Sequence, residues 1–116
     1  MKARIPQGMG GGPQNMGAMM RQVQKFQEER ETLAAELETR EYEAAAGGGA
    51  VKVTVSGERR VSAIEIAPEI IDPDDPETLA DVVTAAVNEA LSKADEDAAS
   101  SMSALASKYG IPDGAL

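Results

Sequence analysis

Cysteine, histidine and tryptophan are absent from this chain of 116 residues. Without cysteine there is neither a disulfide framework nor a thiolate site. Without histidine the commonest general acid–base and the commonest metal ligand are gone, and a serine hydroxyl lacking a credible base is a poor nucleophile. Aromatic residues are scarce as well, with one Phe and two Tyr. Phe26 falls on an apolar helical seam, and Tyr42 and Tyr109 are far apart in sequence, so no stacking platform for single-stranded bases is evident. Apolar runs fall well short of the roughly 20 residues that a membrane span requires. Lys2 and Arg4 are followed by Pro and Gly rather than by the apolar stretch of a signal peptide. These absences argue against an enzyme, a metal or cofactor protein and a membrane protein. The expectation is a cytoplasmic protein with no cofactor.

The hydrophobic share of 42% overstates the core, because much of it is alanine. A domain this small hides only a modest part of its surface, so a second copy is expected to cover some of the larger apolar side chains. The formal net charge of −9 is unevenly spread. Residues 1–27 carry Lys2, Arg4, Arg21 and Lys25 and no acid, whereas Lys93 and Lys108 sit among many acids in residues 67–116. The chain is a basic end joined to an acidic body.

Residues 1–13, rich in Gly and Pro, cannot bury enough surface to offset the entropy of ordering them, and read as a tail. From Gln14 the pattern is helical. Met16, Met19, Val23, Phe26, Arg30, Leu33 and Leu37 alternate spacings of three and four, a heptad seam interrupted by Arg30. Arg30 either selects register as a polar core residue does or marks where the seam opens. The period then becomes two. Val51, Val53 and Val55 alternate with polar residues in a half-buried strand, and Ser56-Gly57-Glu58 signals a turn. Val61 to Ile66 reads as the returning strand, its alternation repaired by a bulge near Ser62 or Ala63. Residues 41–46 supply a third, edge strand joined through Gly47-Gly48-Gly49. Asp75, Pro76 and Glu77 open a second helix as N-cap, first residue and acid at the positive end. Gly110 and Pro112 close it, and the acidic run at 95–97 or the serines at 100–101 are places where it could divide.

The expected architecture is therefore α+β: a long N-terminal helix, a two- to three-stranded antiparallel sheet and a long C-terminal helix. The predicted domain spans residues 14–110, with residues 111–116 as a C-terminal tail. The triple glycine precedes a strand and is not followed by Gly-Lys-Ser/Thr, so it reads as tight strand entry rather than a phosphate loop. The acids at 72–77 lack the glycine and distal glutamate of a calcium loop and read as cap and linker.

Residues 16–29, MGAMMRQVQKFQEE, resemble the Met- and Gln-rich opening helix of the YbaB/EbfC family. Residues 46–57, AGGGAVKVTVSG, look like that family's most distinctive segment, and residues 61–68 with 79–93 are similar to its last strand and second helix. The resemblance covers residues 14–110. It implies an intertwined homodimer with a shared sheet, from which helical arms project like tweezers, and a nucleoid-associated protein that binds DNA. The Gly/Pro-rich start and the acidic net charge depart from the family's usual pattern.

Arg21 and Lys25 lie four residues apart on the helix side opposite the seam, at a cost of a few tenths of a kcal/mol for like charges. They read either as phosphate contacts or as a solvated face. Arg4 in the tail, and Lys93 and Lys108 in the last helix, complete the candidate DNA-binding set. Val51, Val53, Val55, Ile64 and Ile66 are the candidate dimer interface. No base-reading recognition helix is evident, so duplex DNA with little sequence specificity is the expected partner. Two other readings stand beside this one. One is a prefoldin-like chaperone clamp gripping clients with Met16, Met19 and Met20; the other is an interaction module for recombination or replication proteins.

Overall fold

The computed structural model describes residues 12–111. Helix α1 spans Gly12–Thr39, strands β1, β2 and β3 span Glu41–Ala46, Val51–Ser56 and Val61–Ile66, and helix α2 spans Pro76–Lys108. A short 3-10 turn at Pro68–Ile70 links β3 to α2. Two helices around a three-stranded antiparallel sheet of order β1-β2-β3 make this an α+β fold, as the sequence indicates. Helix α1 begins two residues before the expected Gln14. Helix α2 is unbroken, and within its acidic stretch Asp97 accepts hydrogen bonds from Arg40, Tyr42 and Ser101.

The bulge falls at Ser62. Thr54 faces Ala63 and Val55 faces Val61, leaving Ser62 as the extra residue, its hydroxyl donating to the Thr54 carbonyl at 3.2 Å. Two glycines are fixed by close approach. Gly47 has φ +66°, and a Cβ there would lie 2.8 Å from Val82 Cγ1. A Cβ on Gly57 would lie 1.7 Å from the Leu37 carbonyl oxygen, because the end of α1 runs directly over the β2–β3 turn. The Gly57 N–H donates to the Arg40 carbonyl at 3.0 Å, tying helix to turn.

Val51, Val53 and Val55 have no exposed surface, and α2 lays Ala86, Ala90 and Ala94 against them. Alanines four residues apart share one helix face, and their small side chains let the helix backbone approach the valine stripe closely. Alanine, which looks like a weakness in the composition, therefore shapes this contact. Helix α2 packs on β1 and β2. Its N-cap is as expected, with the Asp75 side chain accepting from the Thr78 N–H at 3.3 Å and from the Thr78 hydroxyl at 2.6 Å. At its other end Gly110 adopts φ +71°, and the N–H groups of Gly110 and Ile111 donate to the carbonyls of Ser107 and Ala106. This is the Schellman arrangement that ends a helix at a left-handed glycine.

Candidate nucleic-acid interface

Helix α2, about 50 Å long by its 33 residues, is the common spine of two regions. Its first half covers the sheet. Its second half pairs antiparallel with α1 to form an arm. Near the sheet, Arg40 binds Asp97 at 2.9 Å and the Tyr42 hydroxyl donates to the same carboxylate at 2.5 Å. Towards the far end, Lys108 binds Glu29 at 2.8 Å, the Tyr109 hydroxyl also donates to Glu29, and the Phe26 and Tyr109 rings meet edge-on at 5.5 Å. These hydrogen bonds hold the Glu29 and Asp97 carboxyls below the ordinary carboxylate range. The hydrogen bond to Glu29, with some burial, pushes the Tyr109 hydroxyl up to about 12.

Beyond Phe26 the helix α1 continues without α2 beside it. The stretch from Gly12 to Phe26 reaches about 20 Å past the last shared turn. Arg21 and Lys25 are exposed on this projection, and no ion pair engages either of them among the described residues. Arg30 is also exposed and unpaired in the same sense. It lies between the buried Phe26 and Leu37, inside the covered part of the seam, and is a further exposed cation on the arm.

The structure divides the remaining predicted basic residues. Lys108 lies one helical turn along the arm from Lys25, through its bond to Glu29, and its ammonium also sits 5.6 Å from the Tyr109 ring centroid. Lys93 lies on the other half of α2, about 22 Å away along the axis, where its ammonium donates to the Glu43 carbonyl of β1 at 2.7 Å. The arm thus brings Arg21, Lys25 and Lys108 together and leaves Lys93 with the sheet. Arg4 lies outside the described residues. The signal for these divisions is long-range pairing, which no local spacing reports.

The predicted interface residues also separate. Val51 pairs with Ile66 and Val53 with Ile64, so all four, with Val55 and Val61, share one sheet face. Helix α2 seals the β2 valines within the chain, while Val61 and Ile64 on β3 remain 46% and 44% exposed. Ile66 is half-buried at the margin. Strand β3 is a sheet edge with only Glu65 as a charged residue.

Among the described residues no group of His, Cys, Asp and Glu side chains is placed to hold a metal ion. No helix there is long and apolar enough to cross a membrane.

A nucleoid-associated protein of Clostridium acetobutylicum is 47% identical over 105 residues, covering 90% of this chain and 92% of its own. A nucleoid-associated protein of Clostridium botulinum is 50% identical over 113 residues, covering 97% and 96%. In fold, the chain matches the crystal structure of an uncharacterized protein from Helicobacter pylori with a TM-score of 0.53 at 19% identity, over 65% of this chain and 87% of that one. Residues 11–109 match the YbaB/EbfC DNA-binding family, which is not a family of enzymes, and the chain belongs to it.

Proposed function

We propose that this protein is nucleoid-associated and binds the backbone of duplex DNA through the projecting end of α1, acting as a homodimer. The single observation that carries this reading is the exposed, unpaired Arg21–Lys25 pair on a projection that holds no acid before Glu28, in a chain whose net charge is −9. Most of the rest of the chain is acidic and repels a polyanion, which favours approach through the arms. Lys2 and Arg4 add positive charge to the same end of the sequence, while Lys108 is already paired with Glu29 and contributes less. Lys93 is a weaker contributor because its ammonium is already engaged. Contacts of this kind position a duplex without reading bases, which gives little sequence specificity and places the protein on chromosomal DNA, in the cytoplasmic nucleoid.

The second copy supplies cover for β3. An edge strand with exposed Val and Ile and no Lys or Pro invites pairing. Ile64 and Ile66 then join Val61 in a shared core beside the stripe of Val51, Val53 and Val55 that α2 already covers. A pair of chains presents two basic arms to one duplex. Titrating the protein against duplex DNA at low and at moderate salt tests the reading. Binding at low salt that falls steeply as salt rises is expected, whereas no binding at low salt contradicts it. Replacing Ile64 by Glu should yield folded single chains with weakened DNA binding, as sedimentation would report.

A further inference from the structure

The heptad seam of α1 does not end where α2 ends. Phe26 and Leu37 are buried, but Val23, Met19 and Met16 continue the same spacing past Tyr109 with 55%, 64% and 63% of their surface exposed. Met20 beside them is 67% exposed. The positions that flank this bare stretch, Asn15, Met20, Gln22 and Gln27, carry no charge. Flanking residues set partner choice in such seams, and here nothing repels another copy of a strongly acidic chain. Arg21 and Lys25 point to the other side. Where the covered and bare parts meet there is an open hollow of about 280 Å³, lined by Val23, Phe26, Tyr109 and Ile111 with Gln22 and Gln27 at its rim.

We propose that the bare end of α1 docks on the same end of α1 in a second copy, laid antiparallel so that it takes up the seam where α2 leaves it. Helix α2 already runs antiparallel to α1, so the incoming helix continues the packing in the same sense. A parallel partner would instead bring both α2 ends to the same place. In the antiparallel register Met19 of one chain faces Val23 of the other, and Met16 reaches the hollow beside Phe26 and Tyr109. A flexible thioether fills an irregular apolar gap of this kind and gains from the aromatic rings. The contact comprises four apolar side chains per copy, well below the roughly 1,200 Å² that a stable interface needs. It is therefore weak between free chains and becomes effective when copies are held close together. Arg21 and Lys25 of both chains stay on the outside of the joint, open to an anion. The surface is separate from β3, and the inference does not depend on DNA binding.

The absence of cysteine makes the test clean. Full-length Met19→Cys and Val23→Cys variants, both at exposed positions, are mixed without DNA and oxidised mildly. The mixed covalent pair should form severalfold faster than the pair from an Ala18→Cys variant, whose position faces away from the seam. A mixture no faster than that control overturns the proposal. So does fastest linkage within Met19→Cys alone, which would signify a parallel contact.

Discussion

The two ends of α2 show two ways of holding a helix in place. Over the sheet it is seated by shape: three fully buried valines, three alanines against them, and Gly47, where a methyl group would collide with Val82 of the helix. Along the arm it is held by a sparse set of side chains, Phe26, Leu37 and Ala106 in the seam and two tyrosine–carboxylate links with their cations. Exposed ion pairs of this type contribute about 0–1 kcal/mol each. The sheet end is therefore where stability is concentrated, and the arm is free to carry exposed methionines and unpaired cations. Local opening should begin in the arm.

The comparison is broken most severely by a change at the sheet end. Gly57→Ala drives a methyl group into the Leu37 carbonyl and should cost roughly 3 kcal/mol or more, read as a fall in the midpoint of denaturant unfolding. Val53→Ala leaves a void beneath the alanine stripe and should cost about 2–3 kcal/mol. Met19→Gln, on the projection, should change stability by no more than about 0.5 kcal/mol. If Met19→Gln proved as harmful as Val53→Ala, the two regions would not differ as described.

A smaller effect separates them by pH. Glu29 and Asp97 have lowered pKa values in the folded chain. Their stabilising share is present above the ordinary carboxylate values and is lost as pH falls through the folded ones. Tyr109 is raised from 10.0 to about 12, so its share is complete below the ordinary value and is lost as pH climbs through about 12. Amide exchange in α1 should accelerate at both extremes, while the β2 amides stay protected. Tyr109→Phe should speed exchange in α1 at neutral pH and remove the alkaline loss that Tyr109 contributes. Unchanged α1 protection in that variant would show that the hydroxyl does not help to hold the arm.

Much of this fold is legible in local sequence. Asp75-Pro76 starts a helix, Gly110 ends it, the slip between Val61 and Ile64 requires a bulge, and the three glycines turn β1 into β2. What local patterns do not contain is coverage. The valine stripe of β2 and the Val61, Ile64 and Ile66 stripe of β3 are equally apolar, yet α2 lies over one and not the other. The heptad spacing likewise runs unchanged from Leu37 to Met16, although its partner stops at Tyr109. The candidate site shows the same limit. Arg21 and Lys25 are recognisable from an acid-free stretch of helix. The bonds that Lys108 makes to Glu29 and Lys93 makes to Glu43 span 79 and 50 residues and arise only from packing.

The most direct measurement of the central claim is the salt dependence of duplex binding by an Arg21→Glu, Lys25→Glu double variant, with its assembly state checked alongside. Two phosphate contacts per chain in a pair of chains should lower the slope of log affinity against log salt by about 4. Affinity at low salt should fall steeply while the pair of chains remains intact. An unchanged slope and affinity in an intact pair would contradict the assignment of DNA binding to the end of α1.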